Sequence, residues 1–112
     1  MKMNPIVVKL GGAEKFVRLL GGPPATAGMK SGFVTLKPGG SVGEHKTEGR
    51  EEAIVVLSGR ASIFCGGELF AVAEAERLVY IPPETVHDIK NAGDLDLRYV
   101  YVVAPVPAAG RI

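Results

Sequence analysis

GGSVGEHKTEGREEAIVVLSG, residues 39–59, is the stretch whose reading decides the fold. A Gly-Gly turn leads into a short polar segment carrying His45. Glu48-Gly49-Arg50 then bends the chain, and the run from Glu52 to Leu57 closes on a Ser-Gly turn. That run reads as a strand. Alternation places Glu52, Ile54 and Val56 on one face and Ala53, Val55 and Leu57 on the other, and Glu51 points away from Glu52. Beyond the glutamate both faces are apolar, so the strand is expected to be covered on both sides, by a barrel interior and by a second sheet or partner subunit. His45 and Thr47 are expected to share a face of the preceding strand, Val42 to Thr47.

Working outward, the rest of the chain breaks into short strands separated by turn residues. Expected strands are Ile6 to Leu10, Gly32 to Lys37, Arg60 to Cys65, Leu69 to Ala73, Arg77 to Ile81, Val86 to Lys90 and Leu95 to Val103. Lys15 to Leu20 fits either a short helix or a buried strand. Gly66-Gly67 suits a tight hairpin turn. Residues 104–112, APVPAAGRI, read as a coil or extended tail. Fifteen glycines and eight prolines in 112 residues favour many short strands over long helices, so an all-β domain spanning residues 1–112 is expected.

Thirteen basic and twelve acidic side chains give a formal charge of +1 with no run of one sign. This argues against an extended nucleic-acid or polybasic membrane surface and for a small-molecule partner. No apolar run approaches the roughly 20 residues of a membrane helix, and the amino end lacks a signal-peptide core, so a cytoplasmic protein is expected. The single cysteine, Cys65, agrees with a reducing compartment and reads as a buried, inert thiol.

The chain has two histidines, His45 and His87, and both fall in spaced motifs. Gly39, His45, Glu52 and Gly59 match a pattern of glycine, five residues, His-x-His, four residues, glutamate, six residues, glycine, with Thr47 at the second histidine position. Pro82, His87 and Asn91, in residues 76–91, match a second pattern in which Glu76 and Glu84 stand where glycines are usual. With the phrases YIPPETVH and VVLSG, these motifs resemble those of small single-domain cupins. The resemblance implies a double-stranded β-helix, or jelly roll, with a divalent transition metal (Mn, Fe, Ni or Zn) held by His45, Glu52 and His87. Thr47 would then hydrogen-bond water at the metal or leave water its place.

Two imidazoles and one carboxylate suit zinc or non-haem iron. The same three groups also read as a hydrogen-bonded interior cluster without metal. The resemblance implies either an enzyme acting on a small oxygenated molecule, such as a dioxygenase or isomerase, or a non-catalytic small-molecule-binding cupin. Tyr80, Arg98 and Tyr101 are the candidate substrate contacts, with Lys37 and Tyr99 as further polar-tipped strand residues. Glu44, Glu48 or Tyr80 could serve as acid or base. Asn91 reads as a residue of the turn that follows it. A homodimer is expected, because Ala53, Val55 and Leu57 need cover.

Overall fold

A computed structural model describes residues 3–107, and these form two antiparallel sheets with no helix among them. The strands are β1 (Phe16–Gly21), β2 (Lys30–Leu36), β3 (His45–Lys46), β4 (Arg50–Ser58), β5 (Arg60–Cys65), β6 (Glu68–Glu74), β7 (Arg77–Ile81), β8 (Val86–Lys90) and β9 (Leu97–Pro105). One sheet runs β1-β2-β9-β4-β7 and the other β3-β8-β5-β6. Apart from the β1–β2 and β5–β6 hairpins, successive strands alternate between the sheets in the way of a jelly roll, as expected. No helix of the described residues is long and apolar enough to cross a membrane.

Register fixes what faces inward. Phe16, Val34, Tyr99 and Val56 lie opposite one another across β1, β2, β9 and β4, and Lys30, Val103, Glu52 and Ile81 form a parallel row across β2, β9, β4 and β7. Inner residues of both sheets, among them Leu36, Ile54, Val56, Ile63, Ile89 and Leu97, are almost fully buried and form one core. Truncating such a leucine or isoleucine to alanine costs about 2–5 kcal/mol. The expected division of β4 holds: Glu52, Ile54 and Val56 are buried while Val55 and Leu57 are exposed on the outer face. That outer face is not covered by any second layer among the described residues.

Several expected elements change. Ile6 to Leu10 lies in no strand, and Ile6, Val7 and Leu10 are exposed. An apolar run signals strand propensity, but a strand also needs a neighbouring edge to accept its ladder. Here Gly11 and Gly12, both at φ 130°, separate the run from β1. Lys15 to Leu20 resolves as strand. Val42 to Thr47 shrinks to His45–Lys46, because Gly43 takes φ 96° and gives its N–H to Asp88 Oδ1 at 3.1 Å. The segment still follows β8 through single contacts: Val42 N–H donates to Ile89 O, and Thr47 N–H to Thr85 O. The last strand extends through Ala104 and Pro105, which were expected in the tail; residues 108–112 lie outside the described residues.

Candidate metal site and pocket

Glu52 comes from the inner face of β4, and both histidines come from the facing sheet. His45 on β3 lies directly opposite His87 on β8, so two separate motifs become neighbours through one antiparallel register. Their ring centroids stand 4.1 Å apart, tilted by 58°. Across the gap between sheets, His87 Nε2 lies 3.0 Å from Glu52 Oε1. One ligand atom from each of His45, Glu52 and His87 falls within 4.8 Å of the others. Cys65 on β5 is opposite His87 on its other side and half-buried, but is not part of that cluster.

The hydrogen bonds decide the imidazole tautomers. His87 Nδ1 lies 3.1 Å from Thr85 O, and His45 Nδ1 lies 3.0 Å from Gly43 O. A carbonyl only accepts, so each Nδ1 carries its proton and donates it, which leaves Nε2 as the lone-pair nitrogen of each neutral ring. This is the arrangement in which a histidine ligates a metal while its other nitrogen is held by a backbone acceptor. His87 Nε2 then faces a carboxylate oxygen, and two lone pairs at 3.0 Å need a proton or a cation between them.

Electrostatics favour positive charge there. Burial alone would lower the His87 pKa, but the hydrogen bond to Glu52, the Thr85 carbonyl and the charges of Glu52 and Asp88 together raise it above its ordinary value. A divalent ion takes the proton's place in the same field. Donors each about 2.1 Å from one ion stand roughly 3 to 3.5 Å apart, so side-chain adjustments of about 1 Å close the cluster. The residues present therefore fit a three-ligand N/N/O site, and a cation held there supplies Lewis-acid polarisation of an oxygen function.

Thr47 is buried at 6% exposure and its hydroxyl is committed to structure. It donates to Pro82 O at 2.8 Å and accepts from Thr85 N–H at 2.9 Å. It thus fixes the loop whose Thr85 carbonyl orients His87. Asn91 serves its turn as expected and also ties it to β2: Nδ2 donates to Leu36 O and Leu95 O, and Oδ1 accepts from Gly93 N–H.

Beside the cluster opens a pocket of about 360 Å³, in the range of small-molecule sites. Phe16, Val34, Val42, Ile89 and Val103 make its apolar wall, and Tyr101 lines it as a candidate contact. Two other candidates stand elsewhere. Tyr80 pairs with Ala53 on the outer face and donates to Glu51 Oε1 at 2.7 Å, while Arg98 lies over the Phe33 ring, 4.9 Å from its centroid. Both have the wrong strand parity for the interior, which the sequence without a register did not show. Lys37 pairs with Asp96 on the surface, and Glu44 and Glu48 are exposed outside the pocket.

Tyr99, one of the polar-tipped strand residues, lines the pocket, and so do three cations that were not singled out, Lys30, Lys46 and Arg50. Arg50 had a usable signal, since it shares the strand parity of Glu52 two residues later, and Tyr99 shares that of Tyr101. Lys30 had none, because it reaches the pocket only through the β2–β9 register.

Comparison with known proteins agrees with the geometry. The cupin domain family matches residues 32–103. Polyketide synthase CurC of Streptomyces cyaneus is 34% identical over 95 residues, 80% of this chain and 61% of that protein. Mannose-1-phosphate guanylyltransferase of Salmonella muenchen is 35% identical over 69 residues, 62% of this chain but only 14% of that protein. The chain thus spans about three fifths of the first relative and a small part of the second. Among solved structures, a Cupin 2 conserved barrel domain protein from Salinispora arenicola CNS-205 superposes with a TM-score of 0.70 at 26% identity, covering 97% of this chain and 91% of that one. With two sheets closed over a His-Glu-His cluster and a family match across most of its strands, this chain belongs to the cupin family.

Proposed function

We propose that this protein binds a divalent transition metal through His45, Glu52 and His87 and acts as an enzyme on a small oxygenated molecule. One observation carries the reading: His87 Nε2 and Glu52 Oε1 meet at 3.0 Å while both histidines have Nδ1 held by backbone carbonyls. Mn, Fe, Ni and Zn all accept this donor set. The adjoining pocket gives a substrate access to the ion's open side, and the polyketide-synthase name of the Streptomyces relative agrees with an oxygen-rich substrate. Dioxygen chemistry or isomerisation would follow from the metal's identity rather than from the fold.

The same 3.0 Å contact favours a second reading, a non-catalytic cupin that binds a small molecule. A protonated His87 already satisfies Glu52 without an ion. Elemental analysis of protein purified without chelator or metal-affinity tag, beside the His45→Ala, His87→Ala double variant, separates the two. Near-stoichiometric metal in the wild type, lost in the variant, supports the metalloprotein. Absence of metal, with none taken up on titration, rejects it.

A further inference from the structure

The pocket has a chemical polarity that the metal cluster does not explain. At its mouth Lys30, Lys46 and Arg50 line the wall against a single carboxylate, Glu52. Arg50 precedes Glu52 by two residues on β4, and Lys30 lies two strands away in the same cross-strand row as Glu52, so both cations share the inner face that carries Glu52. Lys46 also lies 3.5 Å from Glu84, a contact exposed enough to be weak. A metal would add further positive charge.

Deeper in, Tyr99 is only 3% exposed and lines the same pocket, yet its hydroxyl has no hydrogen-bond partner among the described residues. Among the described residues the fully buried side-chain polar atom without a partner is Thr35 Oγ1, so the Tyr99 hydroxyl keeps access to the pocket and can donate to something that enters. Burial first, then the charges of Glu52, Tyr101 and Asp88, pushes the phenol's pKa well above its ordinary value and keeps it a neutral donor. Tyr101 stands beside it over Gly32, where an added Cβ would come within 2.6 Å of the Tyr101 ring. The Lys30–Val103 pair and the Val34–Tyr99 pair stand four residue steps apart along β9, roughly 13 Å of strand. Gly32 and Tyr101 occupy the middle of that interval, and Val34, Val42 and Ile89 supply apolar wall to the pocket.

We propose that the pocket recognises a small carboxylate with an apolar body and a second oxygen function: Lys30, Arg50 and Lys46 hold the carboxylate at the mouth, and Tyr99 donates to the distal oxygen. The inference deepens the functional reading above and rests on it only for the ligand's meeting with a metal, since the cations and phenol are in place without one.

Calorimetric titration of chelator-treated protein tests it independently of the ion. The probes are para-hydroxyphenylpropionate, its uncharged amide, and phenylpropionate, which lacks the distal oxygen. The acid is expected to bind about tenfold or more tightly than the amide, a preference lost in a Lys30→Met, Arg50→Met variant. Its advantage over phenylpropionate is expected to vanish in Tyr99→Phe, which removes one oxygen and keeps the ring. Thermal melts beside each titration establish that the variants compare folded proteins. Equal affinity for acid and amide, no saturable binding of any probe, or preferences that survive in the folded variants would overturn the proposal. Repeating the titrations with Mn²⁺ present then reports on the metal reading separately.

Discussion

His87 and Glu52 reach each other from opposite sheets, Nε2 to Oε1 at 3.0 Å, on atoms that both carry lone pairs once His87 Nδ1 has donated to Thr85 O. Whatever sits between them, proton or ion, is positively charged, and the two compete.

Metal affinity should therefore depend on pH. The His87 pKa is raised above its ordinary value near 6.5, so in metal-free protein the imidazolium–carboxylate pair contributes stability fully below about pH 6.5 and loses it as pH rises through the raised value. An incoming ion must displace that proton. Zinc affinity is expected to fall as pH drops below the raised value, by up to about tenfold per unit for one proton released. Titration at pH 6 and pH 8 in buffers of different ionisation enthalpy measures the proton count, and an affinity indifferent to pH would contradict the displacement.

Thr47 should resist conversion to the histidine that its position usually carries. Thr47→His discards the bonds to Pro82 O and Thr85 N–H, and the expected cost is about 1–3 kcal/mol by urea unfolding. Because the same loop orients His87, zinc affinity is expected not to rise despite the added imidazole. Thr47→Val should show a similar loss of stability, which separates the missing bonds from the bulk of the new ring. A tighter, equally stable Thr47→His protein would show that this hydroxyl is dispensable.

Glu76 and Glu84, which stand where the second motif usually has glycine, both adopt left-handed backbone, at φ 67° and 56°. That conformation costs a non-glycine residue roughly 1–2 kcal/mol, partly offset because glycine makes the unfolded chain more flexible. Glu76→Gly is expected to stabilise the protein by about 0.5–1 kcal/mol. Glu84→Gly should gain little, since Glu84 Oε1 accepts from Gly49 N–H at 2.8 Å and its other oxygen meets Lys46. Paired chemical-denaturation curves check both, and equal gains would mean that the Glu84 contacts contribute nothing.

The outer face of the five-stranded sheet should bury itself against a second copy. Val55 faces Leu78 and Ala53 faces Tyr80 across β4 and β7, with Leu78 70% and Tyr80 56% exposed. Such a patch on a small domain points to association. Sedimentation equilibrium at micromolar concentration is expected to give a dimer, and Leu78→Glu a monomer. A wild type at monomer mass would end that expectation.

The sequence was most informative where spacing carries the structure. The interval from His45 to Glu52 and the place of His87 before Asn91 carried the resemblance to cupins, which implied the cluster, and the period-2 pattern of β4 correctly put Glu52 inside and Glu51 outside. Pairing was much less legible. Tyr80 and Arg98 have polar tips on strands, as Tyr101 does, but only register tells which face each occupies. Lys30 reaches the pocket through a partner more than seventy residues away, Val103. Ile6 to Leu10 shows the converse: apolar composition without an edge to join. The positive φ angles at Glu76 and Glu84 were foreshadowed by the missing glycines, although nothing in the sequence showed that Glu84 is compensated by its contacts and Glu76 is not.

Because Glu52 rides on one sheet and both imidazoles on the other, the cluster exists only while the two layers are pressed together. An ion bound there would act as a clasp across the sandwich, tightening the fold in proportion to its own affinity. Visible absorption from a cobalt ion at the site would then gauge the separation of the layers, fading when they part even if every strand stays paired within its own sheet.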